Sequence, residues 1–112
     1  MSANSIVRTM SATSDGSTEI TLLIDAWPPD VNIRWNWLAA CNKDSRGSWT
    51  QLILKRASQV YGFTRTRQTL SNQSVQIAPG VKAPGDFRPG AIFAGSASGD
   101  RLEICAFGEI ID

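Results

Sequence analysis

The stretch Val31-Asn-Ile-Arg-Trp-Asn-Trp-Leu-Ala-Ala40, "VNIRWNWLAA", can be read in two ways, and the choice decides the fold. As a helix capped by Asp30 it would turn Trp35 and Trp37 about 200° apart, because each residue advances about 100°. As a strand it places Val31, Ile33, Trp35, Trp37 and Ala39 on one face, with Asn32, Arg34, Asn36 and Leu38 on the other. The apolar row favours the strand. Each indole would then remove roughly 150–250 Å² from water, and a small domain needs such anchors.

The same period of two runs outward from this segment. Upstream, "STEITLLIDAW" alternates Thr18, Ile20, Leu22 and Ile24 against Glu19, Thr21 and Asp25, with Leu23 the single misfit. Downstream, "RLEICAFGEII" sets Leu102, Ile104, Ala106 and Ile110 against Arg101, Glu103, Cys105, Phe107 and Glu109. Asp15-Gly16 suits a tight turn and predicts a hairpin between "SIVRTMS" and "TEITLLI", and "SASGD" predicts a second between "AIFAG" and the last strand. Pro28 and Pro29 must stop the strand before them, since proline offers no N–H to a ladder.

The centre of the chain admits two readings. Ser48 and Gln51 fit a capping box ahead of "WTQLILKRASQVY", and Gly62 could end a helix over about 49–61. Ile53, Val60 and "GFTRTRQTL" favour extended structure instead. Residues 79–90, "PGVKAPGDFRPG", hold three prolines and three glycines and are expected as a long surface loop. The prediction is a mainly β chain of one domain over residues 1–112, an antiparallel β sandwich or small barrel, with α+β containing one central helix as the alternative.

Composition narrows the chemistry. The chain has 112 residues and no histidine, which removes the commonest general base and a leading metal ligand. Two distant cysteines, Cys41 and Cys105, cannot build a closed zinc site, and each sits in an apolar run that suits a buried free thiol. No phosphate-cradling glycine motif occurs. The carboxylates read as solvated charges or turn formers. The expectation is therefore a non-enzymatic chain without catalytic residues, metal or cofactor.

No apolar run reaches the roughly 20 residues of a membrane span or the length of a signal peptide. This predicts a soluble chain, cytoplasmic or released without a signal peptide. Asn72-Gln73-Ser74 matches the glycosylation pattern and, lacking a secretion signal, reads as chance.

Two ligand classes fit the remaining features. The first is a glycan, bound in a lectin-like manner by indole stacking of Trp27 or Trp49 and by hydrogen bonds from Asn32, Arg34, Asn36 or Asp86. Trp27 and Trp49 could equally close the ends of the core. The second is a polyanion or nucleic acid. Between Ser45 and Gly85 there are six basic residues and no acidic one, leaving five basic and ten acidic elsewhere. There, Arg56 precedes an extended ribbon of Tyr61, Phe63, Arg65 and Arg67 that could stack on bases and contact phosphates. A third expectation is a structural or assembly subunit whose aromatics and sheet edges are buried between copies. A homo-oligomer is expected, since small β domains pair through edges or faces and a lectin gains avidity by doing so.

Overall fold

The computed structural model describes residues 4–44, 48–64, 67–69 and 74–111, the side chains of 4, 48 and 67–69 excepted. Every regular element among them is a strand: β1 (Asn4–Thr13), β2 (Glu19–Leu23), β3 (Asn32–Asn42), β4 (Ser48–Arg56), β5 (Gln59–Gly62), β6 (Arg67–Thr69), β7 (Ser74–Ile77), β8 (Val81–Pro84), β9 (Arg88–Ala94) and β10 (Arg101–Ile111). They form two antiparallel five-stranded sheets. In the first, the order is β1-β10-β3, with β7 and β8 sharing the far side of β3. In the second, it is β2-β9-β4, with β5 and β6 sharing the far side of β4.

The strand reading of "VNIRWNWLAA" holds, and the predicted mainly β sandwich is the fold. No helix forms over 49–61; β4 and β5 occupy that stretch as a hairpin, turning at Ala57 and Ser58. Inward side chains alternate as the pattern demands. Ile33, Trp35, Leu38, Leu102, Ile104 and Ala106 of the first sheet meet Leu22, Leu52, Leu54, Ala91 and Phe93 of the second.

Both expected hairpins are absent, because β1 and β10 belong to the first sheet while β2 and β9 belong to the second. The Asp15-Gly16 and "SASGD" turns are instead crossovers between sheets, lying side by side at one end. Ser14 N–H donates to Asp100 O at 2.8 Å, and Gly99 N–H donates to Ser14 O at 2.8 Å. Buried polar groups there are satisfied mutually: Ser14 and Ser96 hydroxyls lie 2.8 Å apart, and Asn42 donates to the Asp100 carboxylate at 3.1 Å.

Residues 79–90 also differ from expectation. Instead of a loop they contain β8 and the first part of β9, joined by a tight turn in which Phe87 N–H donates to Pro84 O at 3.0 Å. Pro84 and Pro89 stand at strand termini or where no ladder partner needs their missing N–H. Leu23, the misfit in β2, rests over Gly90 of β9 on the outer face of the second sheet.

One irregularity decides where the aromatics go. The β3–β10 register passes from Phe107 opposite Trp37 to Gly108 opposite Trp35, so Asn36 is an extra residue in β3. This bulge reverses the phase of the strand. Trp35 points into the core at 1% exposure, whereas Trp37 points outward, and Leu38 and Ala40 take the inward positions after it. The expected common face of Trp35 and Trp37 does not form. Among the described residues no helix is long and apolar enough to cross a membrane.

Candidate functional site

The six residues proposed for glycan contact are distributed over four regions. Trp27 closes the open side of the sandwich. Its indole meets the Trp35 ring edge-on at 5.9 Å, and the Arg8 guanidinium covers it at 5.2 Å. Its backbone N–H donates to Gly85 O at 2.9 Å, and a Cβ on Gly85 would come within 2.7 Å of the Trp27 Cβ. Trp27 is thus a packing residue at the rim of the core.

Asn32, Arg34 and Asn36 share the outer side of the first sheet. Asn32 is half-buried, Arg34 is exposed and lies 3.2 Å from Glu109 of the neighbouring strand, and Asn36 is exposed at the bulge. Asp86 lies elsewhere, at the β8–β9 turn, with its carboxylate 3.0 Å from the Arg56 guanidinium.

Trp49 is different. It lies near the start of β4, on the outer face of the second sheet, with 45% of its surface open. The register sets it beside Ala94, with Glu19 on the strand beyond. The next row along the same face is Gln51, Ile92 and Thr21. Gln51 is held in place by donating its amide to Thr64 O at 3.0 Å. An indole on a flat apolar floor of Ala94 and Ile92, rimmed by a hydroxyl, an amide and a carboxylate, is a surface on which a sugar ring could stack.

The residues proposed for polyanion contact only partly meet. Arg56 and Tyr61 both approach Phe87, at 5.0 Å to the ring centre for the guanidinium and 6.0 Å between ring centres for Tyr61. Phe63 turns to pack against the core. Arg67 lies in β6, opposite Thr50, and its side chain is outside the described residues, as are Arg65, Asn72 and Gln73. The Asp86 carboxylate offsets the charge of Arg56.

Sequence reasoning missed a third surface. Val7, Phe107 and Trp37 stand in register across β1, β10 and β3 on the outer face of the first sheet. Val7 is 58% and Phe107 40% exposed, and the Trp37 and Phe107 rings stack with centres 5.0 Å apart. The adjoining hollow of about 130 Å³ is lined by Ala39, Cys41, Ser74, Glu103 and Cys105. Both cysteines are thiols that sit half-buried on this face rather than in the core, and partial burial pushes each thiol up from its ordinary value. A signal for this arrangement exists in the sequence: "WLAA" breaks alternation, as a bulged strand does.

The chain matches no protein-family model and no curated protein. Among solved structures it is similar to PirA, with a TM-score of 0.54 at 12% identity, covering 95% of each chain. It is also similar to FLHE, at 0.49 and 10% identity over 94% of this chain and 97% of that one. A further likeness is to a pilus protein of Bacillus endospore appendages, at 0.48 and 9% identity over 98% and 90%. At these identities the likeness to PirA is one of fold: a β sandwich of the same extent.

Proposed function

We propose that the chain is a non-catalytic domain that binds a glycan on the outer face of the second sheet, with Trp49 as its stacking platform. The observation that carries this reading is the exposure of Trp49, 45%, on an open sheet face. Trp27 and Trp35 have their rings engaged with each other, and Trp37 has its ring on Phe107. The neighbours of Trp49 supply the polar rim that sugar hydroxyls require: Thr21, Gln51 and the carboxylate of Glu19. Because β4 lies inside the sheet, the platform is held rigidly, which limits the ordering entropy lost on binding.

The test is a glycan array followed by fluorescence titration of any binder. Trp49→Ala should weaken binding at least about tenfold, equivalent to about 1.4 kcal/mol, while Trp37→Ala leaves it unchanged. An array without a binder, or a binder indifferent to Trp49→Ala, sinks the proposal.

A further inference from the structure

We infer that the outer face of the first sheet is a self-association surface that takes a second copy of this chain, face to face about a two-fold axis parallel to the strands and between β10 and β3. The inference is independent of glycan binding, which uses the opposite sheet.

The first support is an apolar row in the middle of the face. Val7, Phe107 and Trp37 lie side by side by register, and the row ends at the interruption between β7 and β8. Thr9, Cys105 and Ala39 form the adjoining row of small side chains. Val7 stays 58% exposed, and Phe107, although its ring stacks on Trp37, stays 40% exposed. A contiguous apolar strip of this kind, rimmed by charge, marks an interaction surface more often than a solvated one.

The second support is the arrangement of charge, which identifies the occupant. On this face β3 and the residue after it carry Arg34 and Lys43, paired within the chain to Glu109 and Glu103 of β10, while Arg101, at the start of β10 on the same face, is neutralised by Asp44. A basic column beside an acidic one is complementary to itself under the stated two-fold. The rotation lays β3 of one copy over β10 of the other. Arg34 then meets Glu109 of the second copy and Trp37 covers its Phe107, each contact occurring twice, while Lys43, level with the Asp44-paired Arg101, reaches along β10 toward Glu103. A two-fold axis normal to the strands would instead bring unlike rows together and lose these matches.

The available area is adequate. Four strands about 4.8 Å apart and about 30 Å long project roughly 600 Å² per copy before side-chain relief is added, near the roughly 800 Å² per partner of a stable complex. Sheet faces of this kind pack about 10 Å apart with interleaved side chains, and the Trp37–Phe107 stack supplies that relief.

Sedimentation or light scattering of the full chain tests the inference. The expected mass is twice 12.1 kDa, falling to the single-chain value in Phe107→Glu. A charge exchange gives a second readout that unfolding cannot imitate. Arg34→Glu with Lys43→Glu makes both columns acidic, and Glu103→Lys with Glu109→Lys makes both basic. Each double variant alone should be monomeric, and an equimolar mixture of the two should restore the doubled mass. A wild-type chain that stays monomeric overturns the inference. So does a dimer that ignores Phe107→Glu, or a pair of charge variants that fail to associate on mixing while both remain folded by circular dichroism.

Discussion

At the scale of single residues, two glycine- and charge-dependent contacts define the first sheet. Gly108 is buried beneath the Trp35 ring, and a Cβ there would come 2.7 Å from Arg34 O and 2.9 Å from the indole. Its lack of a side chain lets the bulged strand and the largest core residue approach β10. Gly108→Ala should therefore destabilise the fold by about 1–3 kcal/mol, the usual range for overpacking, in a denaturant titration. A neutral result would mean that β3 can shift away at no cost.

Asp44 receives two hydrogen bonds from the Arg101 guanidinium, both at 2.9 Å, and one from its backbone N–H at 2.8 Å. The side-chain bond from Arg101 is the leading cause that lowers the Asp44 carboxyl from 3.8 to about 2. Since the folded value lies below the unfolded one, the stabilisation is complete above the unfolded value and is lost as pH falls through about 2. Melting curves of Asp44→Asn should lie below wild type at neutral pH and converge with it near pH 2. Curves that stay parallel throughout that range would contradict the assignment.

At the scale of elements, the bulge in β3 matters more than any single side chain. One extra residue, Asn36, opposite the break between β7 and β8, sends Trp35 inward and Trp37 outward. A strand drawn with strict alternation cannot show this, because a bulge arises from the partner's register. The β4–β5 hairpin carries its own strain: Ala57 has φ of 50° in the left-handed region. An alanine there loses about 1–2 kcal/mol to this strain, which glycine relieves, less the cost of its greater unfolded-state entropy. Ala57→Gly should raise stability by about 0.5–1 kcal/mol, measured as an upward shift in Tm. A lower Tm would show that the turn does not hold this conformation in solution.

At the scale of the whole molecule, six of the nine connections between successive described strands cross from one sheet to the other, and the sandwich sets apart two outward faces of different character. One bears an isolated, exposed indole with a polar rim; the other bears an apolar strip that crosses the charged strands β10 and β3. Pairing through the second would leave the two Trp49 faces of a dimer directed away from each other. Such an assembly would present two ligand sites on opposite sides, the arrangement that converts a weak single contact into avidity.

Local pattern was enough to establish β1, β2, β3, β9 and β10, the predominance of β structure, the inward rows of β2 and β10, and the burial of Trp35. Each depends on a period of two that any half-buried strand must show. The sandwich decided everything that involves a partner strand. Turn residues at Asp15-Gly16 and in "SASGD" specify that the chain reverses, and only packing determines whether the reversal stays within one sheet or crosses to the other. Trp27 read as a stacking candidate and became a lid on the core, and Asp86 and Arg56, drawn from different expectations, became an ion pair. Trp49 kept its exposed position, while Trp37, assigned to the core by alternation, reached the surface through a single inserted residue. Register is a property of two strands together, so the faces on which these side chains gather exist only in the folded molecule.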